Sequence, residues 1–244
     1  MDRLGIDIGG SGIKGAPVDI DRGVLVVQRV RIPTPSPATP EAVIDTLAEL
    51  AARFGTVGPV GVTVPAAVQH GRVRTAANID PSWIDVDAAV RISDRLGRPT
   101  VVINDADAAG IAEMRFGAGR GQAGTVMVVT FGTGIGTAIF VDGKLVPNLE
   151  LGHIEIRGRE AEARAAAVVR TQKSLSIQAW AKRADEVLRT YERLVWPDLF
   201  IIGGGLSRRA AKFIELFTTR TPVVAAALRN DAGIVGAACA AEEG

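Results

Sequence analysis

The chain of 244 residues is 47% hydrophobic and 23% charged, a globular composition with enough apolar mass for a large core. Its single cysteine, Cys239, excludes a disulfide framework and a multi-cysteine zinc site, and reads as a small core residue in an Ala-rich C-terminal helix. With 28 basic residues against 27 acidic ones the chain has no global attraction for a polyanion, and it contains no run of eighteen apolar residues that could cross a membrane.

Charge at Asp2 and Arg3 and an early glycine leave no apolar leader, so a cytoplasmic location is expected. Residues 3–8, 13–20 and 23–31 read as successive antiparallel strands joined by tight turns. Thr39 then caps a helix whose first position is Pro40 and whose stripe is Val43, Ile44, Leu47, Leu50 and Ala51. Strands are expected at 59–64, 66–73 and 100–103, a helix at 86–96, and another from Asp105 to Phe116. Strands at 124–130 and 135–141 flank Phe131-Gly132-Thr133-Gly134, and helices at 160–170 and 175–195, a strand at 199–202, a helix at 207–217, a strand at 222–224 and a last helix follow.

Gly10-Ser11-Gly12-Ile13-Lys14-Gly15 matches G-x-G-x-x-G, but a dinucleotide-binding turn needs a helix next, and a second β-branched strand follows instead. A Walker A loop is excluded as well, since Lys14 is neither preceded by glycine nor followed by Ser or Thr. What remains is a hairpin turn at Gly9, Gly10 and Ser11 whose backbone N–H groups, with Lys14, can approach a phosphate. The device recurs at Gly132, Thr133 and Gly134, and a third cluster, Gly203, Gly204 and Gly205, ends an apolar strand.

These motifs occur in an order that resembles the repressor, open-reading-frame and kinase (ROK) sugar kinases. The resemblance is carried by Asp7-Ile8-Gly9-Gly10-Ser11, Val64-Pro65-Ala66, Asn104-Asp105-Ala106, Thr130 to Gly136, Glu150-Leu151-Gly152-His153 and Ile202 to Gly205, and it covers the whole chain. Pro33-Thr34-Pro35-Ser36-Pro37, Thr75 to Asp80, Ser82-Trp83-Ile84 and Leu228-Arg229-Asn230 further resemble the branch that phosphorylates glucose from inorganic polyphosphate and often ATP. The resemblance implies an α/β, actin-like ATPase (ribonuclease H-like) fold. Residues 1–104 would form a small N-terminal domain, joined by a helix at about 231–244, and residues 105–230 a larger one, with the active site in the cleft between them.

It also implies a chemistry, phosphoryl transfer to the 6-hydroxyl of glucose with Asp105 as general base. From position alone, Asp105 also suits the cap of the helix it begins. Pro65, Ala66, Asn78, Asn104, Glu150, His153 and Glu162 would hold the sugar. Asp7 would meet Mg²⁺ through water, the metal resting mainly on donor phosphates. Asp107 reads as a first-turn acid, and His70 as part of a polar turn.

Many family members follow this histidine with a cysteine-rich zinc loop, whereas residues 154–175 contain no cysteine, so no zinc is expected. Seven basic residues against Glu160 and Glu162 make the stretch from Arg157 to Arg183 locally basic. Arg157, Arg159, Arg164, Arg170 and Lys173 are therefore candidates for a polyphosphate groove. The alternatives are an ATP-only glucokinase or mannokinase and a non-catalytic sugar-binding regulator. A repressor of the family would carry a DNA-binding helix-turn-helix before the first strand, on which this chain starts, so no nucleic-acid partner is expected. A homodimer is the family expectation.

Overall fold

The computed structural model describes residues 1–77 and 79–243, which group into two compact units. Asn78, one of the sugar-contact candidates, lies outside the described residues. The first unit comprises Met1–Ala112 and the C-terminal stretch from Asp231; the second comprises Glu113–Asn230.

The first unit is built on a sheet of β1 (Asp2–Gly9), β2 (Gly12–Asp19), β3 (Val24–Leu25), β4 (Val30–Ile32), β5 (Val60–Val64) and β8 (Thr100–Asn104). Its order is β3-β2-β1-β5-β8, with β4 also on β2; β1 and β2 are antiparallel, and β1, β5 and β8 run parallel. Side chains on alternate positions of β1, Leu4, Ile6 and Ile8, are buried with Val43, Ile44, Leu47 and Leu50 of α1 (Pro40–Ala51) and Ile92 of α2 (Ala88–Leu96). Thr39 caps α1 from its hydroxyl to the Ala42 N–H.

The opposite face carries α7 (Ala232–Glu243), whose backbone lies against the sheet. A Cβ on Gly5 would fall 2.0 Å from the Ile234 carbonyl oxygen, and one on Gly61 would fall 1.7 Å from that of Ala237. Only glycine admits so close an approach. Cys239 is fully buried within α7.

The second unit repeats the plan, with sheet order β11-β10-β9-β14-β15. β9 (Thr125–Phe131) pairs antiparallel with β10 (Ile135–Val141) and parallel with β14 (Leu199–Gly204), which is parallel to β15 (Val223–Ala225), and β11 (Lys144–Val146) closes the far edge. α4 (Ala161–Ala165), α5 (Ala167–Gln172) and α6 (Ile177–Val195) pack on it around Trp180, whose ring meets Phe131 and Phe213 edge-on at 5.2 and 5.0 Å.

Four expected elements are corrected. The strand expected at 23–31 is broken into β3 and β4, because Pro17 of β2 accepts from Val26 but has no N–H to return. The strand expected at 66–73 is a hairpin of β6 (Val68–Gln69) and β7 (Arg72–Val73), turning on His70 and Gly71, both at positive φ. The helix expected at 160–170 breaks at Ala166. There the Trp180 indole takes the Ala165 carbonyl at 2.8 Å, and the Val168 N–H goes to Gly132 rather than back along the helix. The helix expected at 207–217 is two short 3₁₀ turns, Ser207–Lys212 and Ile214–Leu216, interrupted where Phe213 turns into the core.

Candidate active site

In the first unit the parallel strands β1, β5 and β8 end on one edge of the sheet, the position where open α/β sheets bind ligands. That edge gathers Asp7, Gly9, Gly10 and Ser11 from β1 and its turn, Pro65 and Ala66 after β5, Asn104 at the end of β8 and Asp105 just after it. Asp7 Oδ1 accepts from the Thr63 hydroxyl at 2.9 Å, and Oδ2 lies 3.7 Å from Lys14 Nζ. A Cβ on Gly233, in the first turn of α7, would sit 3.0 Å from the Asp7 carboxylate, so glycine there lets a helix N-terminus approach an acid.

The cap of α3 (Asp105–Phe116) is Asn104 and not Asp105. Asn104 Oδ1 accepts from the N–H groups of Ala106 at 2.7 Å and Asp107 at 3.1 Å, while Nδ2 donates to the Ala66 carbonyl at 3.1 Å. The physical reason is conformational: Asn104 still belongs to extended β8, as a cap must, while Asp105 is the first helical residue. Asp105 is half-buried at the positive end of the helix, and Asp107 is buried. Because the acceptor of Asn104 is spent on the cap, any sugar contact it makes goes through its amide hydrogens.

In the second unit the turn Gly132–Gly134 and the end of β14 share an edge, with Gly204 in register opposite Phe131. The glycines differ in purpose. A Cβ on Gly204, at φ +81°, would strike the Phe131 backbone at 2.3 Å, whereas one on Gly10, Gly132 or Gly205 would meet nothing within 4 Å. Neither Gly10 nor Gly132 has positive φ, so what glycine supplies there is open space above backbone N–H groups.

Glu150 and His153 flank the 3₁₀ turn Leu151–His153, which three contacts fasten from below. Thr137 donates its hydroxyl to the Leu149 carbonyl and accepts from the Leu151 N–H, and Tyr191 donates to the Leu151 carbonyl at 2.8 Å. Three carboxylates surround the imidazole: Glu150 lies 3.7 Å from Nε2, and Glu160 and Glu162 lie 3.4 and 4.0 Å from Nδ1. Glu162 Oε2 also accepts the Ile135 N–H at 3.2 Å, which joins this cluster to the Gly132–Gly134 turn. Burial raises the Glu150 carboxyl above its ordinary value; His153 opposes the rise and Glu162 adds to it.

One ligand atom each of His153, Glu160 and Glu162 lies within 4.8 Å of the others, an N/O set able to hold a divalent cation. A cysteine-ligated zinc does not fit here, since after His153 the chain forms the hairpin β12 (Glu155–Ile156) and β13 (Arg159–Glu160), turning on Arg157 and Gly158. Of the cationic candidates, Arg157 and Arg164 both pair with Glu186. Arg159 and Lys173 are exposed, and Arg170 buries an Nε that has no hydrogen-bond partner among the described residues.

Thr63, Thr137, Glu160 and Tyr191 were not legible as site residues. The contacts of Thr63, Thr137 and Tyr191 depend on strand register and on partners distant in the chain, and that of Glu160 on the tight turn between β12 and β13, which no local motif records.

The family model for the ROK family matches residues 3–168. A polyphosphate glucokinase of Mycobacterium tuberculosis is 54% identical over 238 residues, 97% of this chain and 90% of that protein. The crystal structure of an inorganic polyphosphate/ATP-glucomannokinase from Arthrobacter sp. strain KM superposes with a TM-score of 0.96 at 50% identity, covering 99% of this chain and 98% of the other. A ROK family glucokinase from Streptomyces griseus, in complex with glucose and AMPPNP, superposes with a TM-score of 0.85 at 27% identity, covering both chains fully at 100%.

Proposed function

The chain belongs to the ROK family, with the actin-like ATPase fold of its structural neighbours, and we propose that it is a glucokinase using inorganic polyphosphate, with ATP as a second donor. The product is glucose 6-phosphate.

The placement of Asp105 carries the assignment. Its carboxylate begins a helix capped by its neighbour, on the same sheet edge as the Gly10–Ser11 turn, and only β5 separates their strands, roughly 10 Å at ordinary strand spacing. As general base, Asp105 accepts the proton of the 6-hydroxyl as its oxygen attacks phosphorus, and the leaving phosphate keeps the bridging electrons. Glu150, His153 and Glu162 take the remaining hydroxyls: the carboxylates accept, and the imidazole can donate or accept. Pro65, Ala66, Asn78 and the amide hydrogens of Asn104 complete the sugar contacts.

Gly9, Gly10, Ser11 and Lys14, Gly132, Thr133 and Gly134, and Gly203, Gly204 and Gly205 are assigned to the donor. Asp7 is an anionic oxygen donor beside Lys14 and fits a hard cation, so Mg²⁺ on the donor phosphates would be held there through water and would neutralise charge at the transferred group. Arg159, Arg170 and Lys173 are the groove candidates not already paired with Glu186. The enzyme is further taken to be a cytoplasmic homodimer without zinc; among the described residues no helix is long and apolar enough to cross a membrane.

Coupled detection of glucose 6-phosphate with glucose and either long-chain polyphosphate or ATP tests this. Activity with polyphosphate that Asp105→Asn lowers at least about a hundredfold is expected. Glucose binding without transfer from either donor would overturn the assignment.

A further inference from the structure

Strand β4 and the proline-rich stretch after it have no role in the chemistry above, yet both are fastened to the first glycine turn. Thr34 donates its hydroxyl to the Gly9 carbonyl, and Arg31 donates Nη2 to the Ser11 carbonyl, with Ser11 Oγ at 3.5 Å. A Cβ on Gly12 would come within 2.4 Å of Arg31 Nε, so glycine at that position lets the guanidinium lie against the turn.

Strand register makes this contact part of a row. Thr63 stands opposite Asp7, Asp7 opposite Lys14, and Lys14 opposite Arg31. In-register partners share a face, so one line of side chains crosses β5, β1, β2 and β4 and ends in two adjacent cations. Lys14 leans toward Asp7, whereas Arg31 is exposed and has no carboxylate partner among the described residues. Six other arginines of this unit, Arg29, Arg53, Arg72, Arg74, Arg91 and Arg95, each have one. Arg3, Arg22 and Arg98 share this lack of an ion pair among the described residues, but of the four only Arg31 lies on the glycine turn.

We propose that Arg31 is a donor-binding residue that holds phosphoryl units beyond those a nucleotide possesses, and so favours linear polyphosphate over ATP. This rests on the polyphosphate reading. A triphosphate gives way to ribose and base after its third phosphate, but the polymer keeps a charge at every unit. The cation outermost in the row, on the far side of Lys14 from Asp7, is therefore the one the polymer reaches and ATP does not. A guanidinium suits the task because its fork binds phosphate oxygens in pairs and stays charged.

The test is steady-state kinetics of the full-length enzyme and Arg31→Ala with long-chain polyphosphate, tripolyphosphate and ATP. Loss of one charged hydrogen-bonding contact predicts a KM for long polyphosphate at least about tenfold higher, and KM values for tripolyphosphate and ATP raised less than about threefold. The slope of log KM against log salt for the polymer should fall by about one. Arg31→Lys, which keeps charge but loses the fork, should recover part of the affinity and separates this role from a folding defect. Equal KM changes for all three donors, or none, would overturn the role of Arg31 while leaving the enzyme a polyphosphate kinase. A wild-type enzyme inactive with polyphosphate would instead remove the reading beneath it.

Discussion

Tyr191 donates its hydroxyl to the Leu151 carbonyl at 2.8 Å, from a fully buried ring beneath the turn that presents Glu150 and His153. Tyr191→Phe leaves that carbonyl with only the Ile154 N–H, at 3.2 Å, as donor and removes one of the ties on the turn. The expected cost is about 1–2 kcal/mol of stability, read by urea unfolding, and roughly a fivefold rise in the KM for glucose with kcat less affected. A variant of wild-type stability and glucose KM would show that Thr137 alone holds the turn.

The same hydroxyl makes an alkaline prediction, since burial, reinforced by Glu162, raises its pKa above 10.0. A raised folded pKa means that the native state holds the proton more tightly. The resulting stability is fully present below pH 10.0 and is lost as pH rises beyond it. Tyr191 is the only tyrosine, so phenolate absorbance reports it without interference. The signal should appear together with unfolding, as judged by circular dichroism, and not before it. Ionisation in a still-folded protein would contradict the buried hydrogen bond.

The glycine turns, the strand ends and the order of the motifs were legible in the sequence because each is a local pattern: β-branched runs, an Asp-Gly hairpin, an apolar strand before glycines. The breaks were not. Ala166 leaves the helix because of an indole fourteen residues on and a carbonyl at Gly132, contacts that no window around it contains. Likewise Asn104 and Asp105 are both good caps by residue type, and only the observed end of β8 decides between them. Arg31 lies at the end of a β-branched run with no motif around it, and only strand register sets it beside Lys14.

That decision separates two variants. Asn104→Ala removes the cap of α3 and the tie to Ala66, and should cost about 1–2 kcal/mol of stability. Asp105→Asn should change stability little and lower kcat at least about a hundredfold, with glucose binding still measurable. Thermal unfolding and single-turnover transfer measure the two effects. An active Asp105→Asn enzyme would remove Asp105 from catalysis.

Purified enzyme should carry no stoichiometric zinc and should keep its activity in zinc-selective chelators that spare Mg²⁺. The only thiol, Cys239, is buried in α7, and the segment after His153 is a hairpin with no cysteine. Elemental analysis finding one zinc per chain would place the metal at His153, Glu160 and Glu162. It would also make those carboxylates ligands in place of sugar contacts.

The basic stretch after His153 divides into two classes that should respond differently. Arg157 and Arg164 converge on Glu186, whose burial works to raise its carboxyl while the two guanidinium groups overcome this and hold it below 4.5. A depressed carboxyl contributes stability that is present above pH 4.5 and is lost as pH falls through the lower folded value. Arg164→Ala should therefore lower stability at neutral pH and make its decline below pH 4.5 shallower, with the KM for polyphosphate nearly unchanged. Arg159 and Lys173 are exposed and form no ion pair with a carboxylate among the described residues. Replacing both with Ala should leave stability within about 0.5 kcal/mol. It should raise the KM for long polyphosphate several-fold, with a flatter salt dependence, and raise that for ATP less. Should Arg164→Ala raise the polyphosphate KM as much as the double variant, or the double variant not raise it at all, the stretch is a charged surface rather than a track for the polymer.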